Sequence, residues 1–167
     1  MRIRAGSTEF AALKFGGWAV KHRARITPRM TPALTSGGAK VPHVRFPFGC
    51  FFASLLAASR GTKDISLHID HDTNKPALAG TRDGSLKLTA SDEGLRWSLD
   101  TSTPRGAKAA LWIAAHPAYR AVSVGGSSLR HTVRGRGAHT TADVTTFDLR
   151  EISLVRNPAD KSTSFAI

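Results

Sequence analysis

Two histidines and two aspartates fall between positions 68 and 72, within "SLHIDHDTNKP" (66–76). Such a cluster could ligate a metal, supply acid–base chemistry or form an ordinary polar loop. On a strand, alternate residues share a face. Ile65, Leu67, Ile69 and His71 then lie on one side, and Ser66, His68, Asp70 and Asp72 on the other. His71 ends an apolar row and is expected to be half-buried. A metal needs three or four convergent ligands. The order His-x-Asp-His-Asp lacks the first pair of the zinc-hydrolase run His-x-His-x-Asp-His, and His116, His131 and His139 occur singly. No metal and no cofactor are assigned, and a metal-dependent hydrolase using His68, Asp70 and His71 is the lesser reading.

Two further stretches repeat the anomaly of a reactive side chain on an inner face. In "YRAVSVGG" (119–126), Tyr119, Ala121, Ser123 and Gly125 share a side, and the small neighbours leave room beside Ser123 for a substrate carbonyl. In "TTFDLREISLV" (145–155), Glu151 shares a side with Phe147, Leu149, Ser153 and Val155. A carboxylate on such a row needs a partner or a purpose. The plainer alternatives are a core histidine bonded to a carbonyl, a strand serine bonded to backbone, and a flipped strand that exposes Glu151. Taken together, His, Ser and a carboxylate are the parts of a serine hydrolase. Serine is a weak nucleophile until a base takes its proton, and the base needs a third group to fix its tautomer. The chain has no Gly-x-Ser-x-Gly elbow, which counts against an α/β-hydrolase.

The elements that must position these residues are mostly strands. "DISLHID" alternates as a strand. "DGSLKLTASDEGLRWSLDT" reads as a hairpin turned at "SDEG". "GCFFASLLAASRG" is a short helix with Phe51, Phe52, Leu55 and Leu56 on one stripe. "STPRGAKAALWIAAH" is a second helix, with Thr103 as N-cap and Pro104 at its first position. "YRAVSVGG" is a strand ending in a glycine pair, "RHTVRGRGAHTTAD" a loop or weak hairpin, and "RNPAD" closes the last strand. A strand falls around Leu13 to Val20. Residues 25–42, rich in Pro, Thr, Ser and Gly, form a flexible loop within a single domain of residues 1–167. Strands outnumber helices without regular alternation, so an antiparallel sheet or barrel with helices outside is expected.

Composition narrows the partners. The 24 Lys and Arg against 12 Asp and Glu give a formal charge of +12, which favours acidic partners. The densest basic runs, "KHRAR" (21–25) and "RHTVRGRG" (130–137), lack interleaved aromatics for base stacking. Cys50 is the only cysteine, so no intrachain disulfide forms and a reducing compartment fits. The most apolar window, 46–58, is too short to span a bilayer, and a soluble, intracellular protein without membrane association is expected.

The stretch "FGCFFASLLAASRGTKDISLHIDHDTNKPALAGTRDGSLKLTASDEGLRWSLDT", with Ser123 in "AVSVGG" and "EISLVRNPA" at 151–159, resembles the tailed-phage prohead proteases that mature capsids. "FGGWAV" (15–20) resembles the family's opening strand. The resemblance implies a herpesvirus-protease-like fold: α+β or mainly β, with an antiparallel β-barrel-like core and a few surrounding helices. It implies His71 as base, Ser123 as nucleophile and Glu151 as orienting acid, with Asp148, His131 and His139 as rivals for the third role. Gly125, Gly126 and Arg156 are candidates for oxyanion or substrate contacts. The flank Ala121-Val122-Ser123-Val124-Gly125-Gly126 matches the family pattern only in part. The implied substrate is a major capsid protein or scaffold segment, cut inside the assembling prohead in the bacterial cytoplasm, with self-cleavage and self-association. The alternative function is a catalytically degenerate, basic capsid-associated or nucleic-acid-binding structural protein.

Overall fold

The computed structural model describes residues 15–22, 35–36, 39–163 and 165. Strand β10 (Thr141–Val155) organises the fold. Strand β9 (Ala121–Arg134) pairs with it antiparallel along its whole length, from Arg134↔Thr141 to Ala121↔Val155. The opposite edge of β10 takes two short parallel strands: β4 (His43–Arg45) against Thr141–Asp143, and β5 (Ser66–Ile69) against Glu151–Leu154. Strand β6 (Ala79–Gly80) extends β5.

Between β4 and β5 the edge of β10 has no strand partner among the described residues, and buried backbone groups need a hydrogen-bond partner. Helix α1 (Phe52–Ser59) supplies it. The Cys50 carbonyl accepts from the Phe147 N–H at 2.9 Å. The Ser54 hydroxyl accepts from the Leu149 N–H at 3.0 Å and donates to the Phe147 carbonyl at 3.3 Å. Ser54 is therefore the residue α1 buries, while Phe52 and Leu56 are about half exposed. The apolar stripe expected for this helix holds only for Phe51 and, in part, Leu55.

Strand β1 (Gly16–Lys21), strand β7 (Leu86–Ala90) and strand β8 (Gly94–Leu99) form a second sheet, ordered β1-β8-β7. The hairpin alternates as expected, with Leu86, Leu95, Trp97 and Leu99 buried. Helix α2 (Pro104–Ala115) starts where its signals put it: Thr103 Oγ1 accepts from the Gly106 N–H at 3.0 Å. The fold is α+β and mainly β. Its two principal sheets do not close into a barrel among the described residues, and the β10 edge uses parallel pairs where antiparallel ones are expected.

Two other expectations change. The strand carrying Ser123 does not end at its glycine pair, and of the loop or weak hairpin read for 130–143 it is the hairpin that forms: β9 and β10 are one long hairpin, turned at Gly137–His139. The strand passes Gly126 because only glycine fits there; a Cβ would lie 2.0 Å from the Asp148 carbonyl oxygen. Within the segment read as a loop at 25–42, residues 25–34, 37 and 38 lie outside the described residues. Strand β2 (Thr35–Ser36) pairs with strand β3 (Ala39–Lys40). No helix among the described residues is long and apolar enough to cross a membrane.

Candidate active site

Strand β5 ends at Ile69, and the next two residues leave the extended region. Asp70 has φ 50° and His71 φ 60°. Left-handed backbone is unfavourable for residues with a Cβ and persists where the surroundings impose it. Here β10 imposes it. The Asp70 N–H donates to the Leu154 carbonyl at 2.9 Å, and the His71 N–H donates to Ser153 Oγ at 3.1 Å. The alternation argument for His71 therefore does not apply, because no strand continues to that position. His71 is half-buried, as expected, with 42% of its side chain exposed.

The turn swings the imidazole over β10. His71 Nδ1 lies 2.6 Å from Glu151 Oε1. Glu151 is buried, only 5% exposed, and its second oxygen accepts from the Ser153 hydroxyl at 2.6 Å. The hydrogen bond to the carboxylate raises the pKa of His71 above its ordinary value, against a smaller opposing effect of burial. The same carboxylate explains Gly125, which faces Glu151 across the ladder. A Cβ on Gly125 would lie 1.6 Å from Glu151 Oε1. No side chain fits there while the carboxylate holds His71.

His71, Ser123 and Glu151 line one cavity of about 610 Å³, with Gly125, Gly126 and Arg156 also on its wall. Ser123 is half-buried and sits directly across the ladder from Ser153. Its hydroxyl makes no hydrogen bond to His71 among the described residues; such contacts often tighten only once substrate is bound. Apolar residues including Val44, Phe46 and Val124 share the lining with Asp70, Asn157 and Asp160.

The rivals for the third role lie elsewhere. Asp148 pairs with Lys63 and with Arg150. His131 and His139 are exposed on the outer part of the β9–β10 hairpin and do not line the cavity. Cys50 is buried, and burial pushes its thiol up to about 12, which rules it out as a thiolate nucleophile.

Residues 47–167 match the sequence profile of the caudovirus prohead serine proteases. The chain belongs to that family. The match leaves out "FGGWAV" at 15–20, which forms most of β1. No curated protein and no solved structure matches the chain.

In this prohead protease family member the polar cluster of the opening stretch disperses. His68 is buried on β5, opposite Ser153, and its Nδ1 has no hydrogen-bond partner among the described residues. The side it was read to share with Asp70 and Asp72 is therefore not a common polar face, because the strand ends at Ile69 and His68 itself is buried. Asp70 accepts from the Tyr119 hydroxyl at 3.0 Å, and Tyr119 in turn accepts from Arg156 Nη2 at 2.7 Å. The Arg156 guanidinium also lies over the Tyr119 ring, 4.9 Å from its centroid. Asp72 closes the following turn, accepting from the Asn74 N–H and pairing with Lys75. No group of three or more His, Cys, Asp and Glu among the described residues is placed to hold a metal ion. Sequence reasoning missed Tyr119 and Ser153. Ser153 was visible only as a polar member of the Glu151 row.

Proposed function

We propose that this chain is a serine endopeptidase that cuts a scaffold segment or the major capsid protein during prohead maturation, inside the assembling particle in the host cytoplasm, and that it also cleaves itself. The observation that carries this reading is the 2.6 Å contact between His71 and buried Glu151, in a cavity that Ser123 also lines. Family membership supplies the substrate class.

With its Nδ1–H donated to Glu151, His71 presents Nε2 as the free base. Ser123 Oγ attacks the scissile carbonyl while Nε2 takes the hydroxyl proton, and the tetrahedral intermediate carries the negative charge on the former carbonyl oxygen. The imidazolium that forms is stabilised by Glu151, which keeps its own charge. Nε2–H then protonates the leaving amine, and an ester between Ser123 and the substrate acyl group remains. Water, deprotonated by His71, hydrolyses that ester and regenerates Ser123. Gly125, Gly126 and Arg156 line the same space and contact substrate or the developing oxyanion.

The basic, nucleic-acid-binding alternative is not favoured. Arg45, Arg134, Lys63, Arg150, Lys87 and Arg105 are each paired with a carboxylate. The test is coexpression of the full chain with a major capsid protein carrying its scaffold segment, comparing wild type with Ser123→Ala. The expected outcome is a shortened capsid product with wild type and none with the folded variant, since loss of a nucleophile typically costs several orders of magnitude. Processing by Ser123→Ala at wild-type speed overturns the assignment.

A further inference from the structure

We propose that Ser153 is a positioning residue: its hydroxyl locks the backbone of His71 to the carboxylate of Glu151. The inference rests on the reading of His71 and Glu151 given above, and it adds a residue that the nucleophile–base–acid scheme does not use.

Ser153 is fully buried, at 0% exposure, and does not line the cavity. Of the two serines that face each other across the β9–β10 ladder, it is the one substrate cannot reach. A hydroxyl has one proton to give and lone pairs to accept. Ser153 uses both. It donates to Glu151 Oε2 at 2.6 Å and accepts from the His71 N–H at 3.1 Å. Glu151 Oε1 meanwhile holds the imidazole of the same histidine. The result is a closed ring: His71 backbone to Ser153, Ser153 to Glu151, Glu151 to the His71 side chain.

The ring answers two physical problems at once. The left-handed backbone of His71 needs outside restraint, and Ser153 supplies it directly at the residue whose ring must be aimed. A buried carboxylate needs donors for both oxygens. With Oε2 held by Ser153, rotation of the carboxylate is suppressed and Oε1 stays on Nδ1. Ser153 is thereby set apart from an ordinary satisfied core serine, which would bond to a carbonyl of its own neighbourhood.

The test uses the full chain labelled with ¹⁵N-histidine, in wild type, Ser153→Ala, Glu151→Gln and the double variant. The first readout is the His71 ring by NMR, which needs no substrate. Wild type is expected to show the Nδ1–H tautomer with a low-field, exchange-protected ring proton. In Ser153→Ala that proton is expected to exchange rapidly and the Nε2–H tautomer to appear. The second readout is cleavage of the coexpressed capsid protein. Ser153→Ala is expected to lower kcat on the order of 10- to 100-fold, the loss typical of a hydrogen bond to a charged group, with KM unchanged. In the Glu151→Gln background the same substitution is expected to have little further effect. If Ser153→Ala does not fold, Ser153→Cys, close in size but a weak donor, carries the test with the same expectations. A folded variant with the wild-type ring signal and wild-type kcat overturns the proposal. Absence of cleavage by every chain, wild type included, defeats the protease reading instead, and the ring signal still decides the role of Ser153.

Discussion

Strand β10 carries two buried acids, Asp143 near its start and Glu151 near its end, each 5% exposed. They are satisfied in opposite ways. Asp143 lies between two guanidiniums: Arg45 takes both of its oxygens at 2.8 Å, and Arg134 approaches at 3.0 Å. Those partners stay protonated at any relevant pH, and they hold the Asp143 carboxyl below the usual range, the Arg45 hydrogen bond first. Glu151 instead has a titratable imidazole and a hydroxyl. A carboxylate with permanent cations is a fixed joint. One with a histidine is balanced against a proton that can come and go near neutral pH. Burial is common to both acids, and the titratability of the partner is what separates Glu151, the proposed orienting acid, from Asp143.

The comparison breaks most sharply by exchange of the two acids for amides. Glu151→Gln is expected to lower turnover on the order of 10³- to 10⁴-fold, with the melting curve little changed. Asp143→Asn is expected to do the reverse: turnover by the folded enzyme is kept, and stability in denaturant melts falls by about 2 kcal/mol, as two cations lose their counter-charge and one of its two acceptor oxygens. If both variants lose only stability, Glu151 is a second structural acid. Next in size is Gly125→Ala. Its methyl occupies the position of Glu151 Oε1, and displacing the acid by about an ångström is expected to cost about 100-fold in kcat. A wild-type rate in this variant would show that the carboxylate has no fixed place.

The pH dependence sharpens the same contrast. His71 must be neutral to act as base, and its pKa is raised by Glu151. The acidic limb of kcat/KM is therefore expected above about 6.5, the value for a free imidazole, and it should move down in Glu151→Gln. For stability the signs are opposite at the two acids. The raised His71 pKa contributes below the unfolded value and loses its contribution as pH rises through the folded one. The lowered Asp143 pKa contributes above the unfolded value and loses its contribution as pH falls through the folded one. The smallest expected effect is that of Asp72→Asn. It removes an exposed pair with Lys75, a kind of contact that contributes little in water, and full activity at 25 °C is the expected assay result.

The parts of the fold and of the candidate site that local chemistry dictates were legible in the sequence. Helix α2 announced itself through Thr103 and Pro104, the β7–β8 hairpin through its alternation, and Glu151 through a charge on an apolar row. What depended on distant pairing was not legible. Nothing near Asp70 or His71 signals left-handed backbone, since neither is glycine and the restraint comes from Ser153 and Leu154 on β10. The preference for His71 over His68 rested on strand parity, yet the residue meets Glu151 through a turn. The α1 stripe misled for a related reason: the helix fills a gap in a sheet edge, and a serine hydroxyl does that where phenylalanine cannot.

The parallel pairing of β5 with β10 also has a consequence in time. A ribosome that has polymerised the chain through Ser123 has made the hydroxyl and the imidazole, but not the strand that carries Leu154, Ser153 and Glu151. Until that strand docks, the Asp70–His71 turn has no reason to hold its shape, and loop closure across so long a stretch of chain comes late in folding. On the proposed assignment of His71 and Glu151, competence for cleavage arrives with the last strand of the sheet.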